Sequence, residues 1–69
     1  MNKEDLDCRF TYHAPKEGQP AKYEAIRSMG REMAGLVAQL TPASREQSLA
    51  ITALEEAVMW ANAAIARNE

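Results

Sequence analysis

The sequence predicts an all-α chain, an N-terminal arm or short helix followed by a long antiparallel two-helix hairpin that assembles into a homo-oligomer. Three observations carry this. Apolar residues recur at steps of three and four over two long segments, which is the spacing of one helical face. A Thr41-Pro42 step separates those segments, with a capping signature directly behind it. The chain has 69 residues and one cysteine, so it buries too little surface to be comfortable alone and cannot be stapled by disulfides within itself. Residues 1–69 read as a single domain, with an arm over 1–19, helix one over about 20–40 and helix two over about 45–67.

In the arm, Lys3-Glu4-Asp5-Leu6-Asp7 supports one short helical turn with Asn2 as its cap. Arg9-Phe10-Thr11-Tyr12-His13 is dense in aromatic and β-prone residues and reads as extended, with alternation placing Phe10 and Tyr12 on one side. A loop from Ala14 to Gln19 leads to Pro20, which suits the start of a helix because its missing N–H would be unpaired there anyway.

In helix one, Ile26, Met29, Met33, Leu36 and Leu40 form one stripe. Proline drives the preceding residue out of the α region, so Thr41 ends the helix. Ser44-Arg45-Glu46-Gln47 has the capping-box pattern, in which Ser44 and Gln47 satisfy each other's exposed N–H groups. The connection is too short for anything but an antiparallel return. Helix two carries Ile51, Leu54, Val58, Ala61 and Ile65 as a matching seam, and beside it a stripe of Ala50, Ala53, Ala57 and Ala64 with Met59 and Trp60 nearby. That is more apolar face than one partner helix covers, so a second copy is expected against it. Gly30 and Gly35 each cost roughly 1 kcal/mol relative to alanine inside a helix, which is explained if a backbone or a ligand comes close at those points.

A net charge of -2 argues against a polymeric nucleic acid, whose binding rests on many phosphate contacts from a basic surface. A compact anion remains compatible, because two or three arginines act over bond lengths whatever the global charge. No run of about 18 unbroken apolar residues occurs, and the acidic start is unlike a signal peptide, so no membrane partner and an intracellular setting are expected. Catalytic chemistry finds little support, and the expectation is a protein without enzyme activity, cofactor or metal. His13 is the sole histidine, Cys8 lacks an evident base, and no phosphate loop or paired metal ligands occur. Glu55 and Glu56 are adjacent on a helix, point about 100° apart, and form no acid–base pair.

Residue chemistry alone leaves two readings for each candidate ligand residue. Phe10 and Tyr12 either staple the arm to the hairpin or offer a stacking platform to a nucleobase, worth about 1–3 kcal/mol per base. Lys22, Arg27 and Arg31 are either a solvated basic face or phosphate partners, and Arg67 is either a favourable helix-end cation or an anion ligand.

The runs Arg9-Phe10-Thr11-Tyr12-His13-Ala14-Pro15, Lys22-Tyr23-Glu24-Ala25-Ile26-Arg27, Pro42-Ala43-Ser44-Arg45-Glu46 and Leu54-Glu55-Glu56-Ala57-Val58-Met59-Trp60-Ala61-Asn62-Ala63-Ala64-Ile65-Ala66-Arg67 resemble the phage anti-CBASS cyclic-oligonucleotide sponges. They are also similar to the helical hairpin of the Thoeris anti-defence sponges. The resemblance implies a homohexamer, acting in the cytoplasm of the infected bacterium, that sequesters cyclic dinucleotides such as cyclic GMP-AMP without cleaving them. In some members cyclic trinucleotides occupy separate pockets. By the same resemblance Tyr12 is the base-stacking ring and Arg27 the dinucleotide phosphate partner. Arg67 and Ser28 are the candidates for a trinucleotide, with Phe10 and Lys22 as accessory ligand residues. The alternative is a structural hairpin that assembles or masks a protein partner without a small ligand. The position of Tyr12, buried under its own arm or open to a cleft, separates the two.

Overall fold

The computed structural model describes residues 1–69 and contains three helices, α1 (Lys3–Phe10), α2 (Gln19–Leu40) and α3 (Arg45–Asn68), and no strand. Helices α2 and α3 form the predicted hairpin within one or two residues of the expected bounds. Their antiparallel course is visible in three pairings, Lys22 with Glu69, Gly30 with Val58 and Ala38 with Gln47.

Each helix end has a local cause. Asn2 accepts from the Asp5 N–H at 2.8 Å, and α1 keeps Glu4 and Asp5 in its first turn and Arg9 in its last, matching the helix dipole. The extended reading of residues 9–13 is therefore corrected. Arg9 and Phe10 complete α1, and the backbone becomes extended only at Thr11. An eight-residue helix is marginal in isolation, and this one gains support by folding back on α3, where the Cys8 sulfur lies 4.0 Å from the Arg67 carbonyl.

Helix α2 starts behind Gly18, whose φ of 84° is the left-handed conformation glycine supplies cheaply. Gly18 offers no side-chain cap, and Gln19 closes the turn instead, accepting from the Lys16 N–H at 2.9 Å through its side-chain carbonyl. Gln19 is the one fully buried residue in the chain, 3% exposed. At the other end Thr41 is extended (φ -118°, ψ 152°), as Pro42 requires, and its hydroxyl donates to the Val37 carbonyl at 2.6 Å.

The capping box is half made. Ser44 accepts from the Gln47 N–H at 3.1 Å, but the Gln47 amide does not return to Ser44. It donates to the Ala38 carbonyl at 3.2 Å and the Thr41 carbonyl at 3.0 Å, satisfying orphan carbonyls at the end of α2 and tying the two helices across the turn.

Packing corrects one further expectation. On α3 the half-buried seam is Ile51, Leu54, Val58, Ala61 and Ile65, as the spacing predicts. On α2 it is Tyr23, Ile26, Gly30, Ala34 and Val37, and of the expected stripe only Ile26 belongs to it. Met29, Met33, Leu36 and Leu40 face outward, with Leu40 71% exposed. The reason is steric. A Cβ at Gly30 would lie 2.5 Å from Cγ2 of Val58, so α3 approaches α2 at a distance only small residues permit. The helix turns its small side to the seam and leaves its large apolar side free.

Helical residues advance about 100° each, and an antiparallel pair is related by a two-fold axis normal to its plane. Residues offset in the same sense from the two seams therefore share one broad face. Met29, Met33, Leu36 and Leu40 of α2 fall on the same face as Leu49, Ala53, Ala57, Trp60 and Ala64 of α3. Glu24, Arg27, Ser28 and Arg31 fall on the opposite one. The result is a plate of 45 × 30 × 12 Å with one apolar and one polar face. Its radius of gyration, 15.2 Å, exceeds the about 11 Å of a compact chain this long. Its surface, 5633 Å², exceeds the about 4,300 Å² expected for a globular monomer of 7.7 kDa. No hydrophobic residue is fully buried.

By length and mean hydropathy, 1.3 over an 18-residue window, α3 is long and apolar enough to cross a membrane. Glu55 and Glu56 interrupt it at mid-length, where a charged side chain costs about 3 kcal/mol even on insertion scales. Its seam is already occupied by α2.

The close approach yields a test. Gly30→Ala gains helix propensity but must displace Val58, a β-branched residue with little rotamer freedom, and overpacking of this kind costs about 1–3 kcal/mol. The expected outcome is a Tm lowered by several degrees at fixed protein concentration, with most of the loss recovered in Gly30→Ala/Val58→Ala. An unchanged Tm for the single variant would show that the helices are not in contact there.

Candidate functional site

The polar face of α2 carries a shallow depression of about 370 Å³ lined by Glu24, Arg27, Ser28 and Arg31. These positions are three, four and seven residues apart, so successive helical turns bring them into one patch. Two guanidinium groups flank a hydroxyl. The chain's single ion pair lies elsewhere, between Lys22 and Glu69, so neither arginine is in an ion pair, and Glu24 is the one carboxylate that lines the depression.

The structure thus brings together Arg27 and Ser28, which the sequence marks separately for di- and trinucleotide contacts. It adds Glu24, which sequence reasoning did not select, and Arg31, which sequence reasoning left as part of a basic face on helix one. The available signal was the three-and-four spacing of polar residues on the face opposite the methionines. Lys22 is not brought to this patch. It lies five residues before Arg27, about 140° around the helix, and donates to both carboxylate oxygens of Glu69, at 3.0 and 2.9 Å.

The aromatic arm lies at the same end of the hairpin as the α3 C-terminus. Nε2 of His13 donates to the Cys8 carbonyl at 2.9 Å, and the Lys16 ammonium donates to the Glu69 carbonyl. Asn62, Ala63 and Ala66 lie off the α3 seam toward the polar face and are half-buried. The arm rests against the C-terminal end of α3. Its rings take no part in that contact. Phe10 is 84% and Tyr12 83% exposed, so the stapling role is excluded for both within the protomer. Phe10 ends a helix while Tyr12 follows it in extended chain, so the two do not share a side by strand alternation.

Arg67 is exposed in the last turn of α3, and its carbonyl meets Cys8. Distance in sequence does not separate it from the arm, because both belong to one end of the hairpin. The side-chain oxygen of Asn62 is buried without a hydrogen-bond donor.

An exposed aromatic ring, unpaired guanidinium groups and a hydroxyl on a thin helical plate define a binding module of the helical-hairpin class. The chain belongs to the family described as Acb2/Tad1, hairpin domain, whose model matches residues 2–66; this is the family of anti-CBASS and anti-Thoeris sponges. Its members bind their targets and are not enzymes, and membership carries a phage anti-defence role. No curated protein and no solved structure matches the chain.

One titration is set by this geometry. The hydrogen bond from Lys22 holds the Glu69 carboxyl below its ordinary value, against an opposing desolvation. A carboxyl whose pKa is lower in the folded state stabilises that state above its unfolded value, and stops doing so as pH falls through the folded one. Glu69→Gln is accordingly expected to lower Tm slightly at neutral pH, with the difference shrinking as pH falls below the ordinary carboxyl range. Calorimetry at neutral and acid pH checks this. A difference that persists in acid would mean that the contact does not depend on the carboxylate.

Proposed function

We propose that this protein sequesters cyclic oligonucleotide second messengers of bacterial CBASS immunity, holding them intact in the cytoplasm of an infected cell. The ligands are cyclic dinucleotides such as cyclic GMP-AMP, with cyclic trinucleotides as a second class. The observations that carry this reading are an exposed Tyr12 and, on the polar face of α2, two guanidinium groups in no ion pair, in a member of the sponge family. A purine presents a flat ring to Tyr12, and its phosphodiester presents an anion that a guanidinium grips with two parallel hydrogen bonds. Neither group needs a basic protein around it. Arg27 binds the dinucleotide phosphate, with Phe10 as an accessory contact, while Lys22, held by Glu69, does not join Arg27 within the protomer. Arg67 and Ser28 serve the trinucleotide, and copies of Arg67 converging about a symmetry axis match one guanidinium to each phosphate.

The protein works as a homohexamer, and its apolar face is the surface that copies share. The support is quantitative, since one protomer exposes about 1,300 Å² more than a globular chain of its mass, enough for a standard interface. Leu36→Glu, central on that face, is expected to convert the oligomer into smaller species in light scattering. A monomeric parent at micromolar concentration, or an unaffected variant, would remove the apolar face from this role.

Incubation with cyclic GMP-AMP, removal of free ligand, denaturation and analysis of what is released test the sequestration itself. Intact nucleotide is expected, whereas cleaved nucleotide would indicate an enzyme and no nucleotide a purely structural hairpin. Tyr12→Ala is expected to weaken dinucleotide retention about 5- to 150-fold, as the loss of one stacking platform implies, with the oligomer unchanged. Arg67→Ala is expected to spare the dinucleotide and lose the trinucleotide. Parallel loss of both ligands in both variants would point to one shared site.

A further inference from the structure

Gly30 and Gly35 both interrupt the interior of α2, and the structure gives them different neighbours. A Cβ at Gly30 would meet Val58 of α3, so that glycine belongs to the helix seam. A Cβ at Gly35 would meet nothing of α3. Its nearest neighbour is Nη1 of Arg31, at 3.1 Å. Long helical side chains ordinarily lean toward the N-terminus. Arg31 instead reaches forward one turn and rests its guanidinium over the bare backbone of Gly35.

Arg31 also lines the depression with Arg27 and Ser28 and forms no ion pair. Arg27 and Arg31 are four residues apart, so their side chains leave the helix about 5–6 Å apart on one face. A cyclic dinucleotide carries two phosphodiesters on a compact ring, and one guanidinium leaves the second phosphate unanswered.

We infer that Arg31 is a second phosphate-binding residue of this depression and that Gly35 is its positioning residue, kept side-chain-free so that the guanidinium can lie flat against α2. The inference deepens the sponge reading and rests on it. It also explains why α2 tolerates a second interior glycine, since a side chain there crowds the resting place of the guanidinium and shifts it by a few tenths of an ångström. Because the crowded atom is the free end of a flexible chain, the substitution costs the fold little while it disturbs the site.

Calorimetric titration of the full chain with cyclic GMP-AMP, alongside thermal unfolding, tests this with four proteins, namely the parent, Arg31→Ala, Gly35→Ala and the double variant. Arg31→Ala is expected to weaken binding about tenfold or more. Arg31→Lys should recover only part of that, because an ammonium lacks the two-pronged geometry. Gly35→Ala is expected to raise Tm, since alanine is the better helix former, and yet to weaken binding about threefold. Against the Arg31→Ala background it should leave affinity unchanged. A parent that binds with Arg31→Ala binding equally well would overturn the role of Arg31 and leave the sponge reading standing. Gly35→Ala weakening both backgrounds alike would overturn its action through Arg31. A parent that retains no nucleotide would remove the sponge reading and this inference together.

Discussion

The close approach of α2 and α3 at Gly30 and Val58 is the constraint on which the rest of the molecule depends. Where the two helices meet at Gly30, Ala34 and Val37 they gain contact between backbones but little apolar area, because small side chains have little to bury. The methionines and leucines of α2 are then displaced from the seam. A hairpin packed through its large residues would have used up that surface and stood further apart.

From this follows the plate shape. With its large residues outside and no fully buried hydrophobic side chain, the protomer resembles one half of a core. Its ends are well made even so, by Asn2, Gln19, Thr41, Ser44 and Gln47, which satisfy backbone groups that no tertiary partner reaches. Local hydrogen bonding sets where the helices stop, while the large apolar residues of α2 stay uncovered within the protomer.

The two faces divide the labour. The apolar face offers area without chemistry, and the polar face carries the guanidinium groups of Arg27 and Arg31 and the hydroxyl of Ser28. Because these lie on opposite sides of a plate only 12 Å thick, assembly through one leaves the other open. That is the arrangement a sequestering protein needs, because capacity rises with every copy and nothing has to be transformed or released. The acidic net charge is compatible with it, since the cations act at hydrogen-bonding distance.

Residue spacing by itself determined the hairpin, its turn and the α3 seam, because periodicity, proline and capping residues act within a few positions of themselves. It also marked Tyr12, Arg27, Ser28 and Arg67 through their resemblance to a family, while the structure decided which of them lie near one another. Three matters were settled only by tertiary structure. Helix α1 runs on through Phe10, and its Cys8 meets the Arg67 carbonyl of α3, a contact 59 residues away in sequence. The α2 seam runs through small residues, although hydrophobic spacing favoured the larger ones, because periodicity locates an apolar stripe and says nothing of how closely a partner backbone approaches. Arg31 and Gly35 became legible as a pair only once the direction of one side chain was known. A helical sequence places both on one face, but it does not say which way an arginine leans.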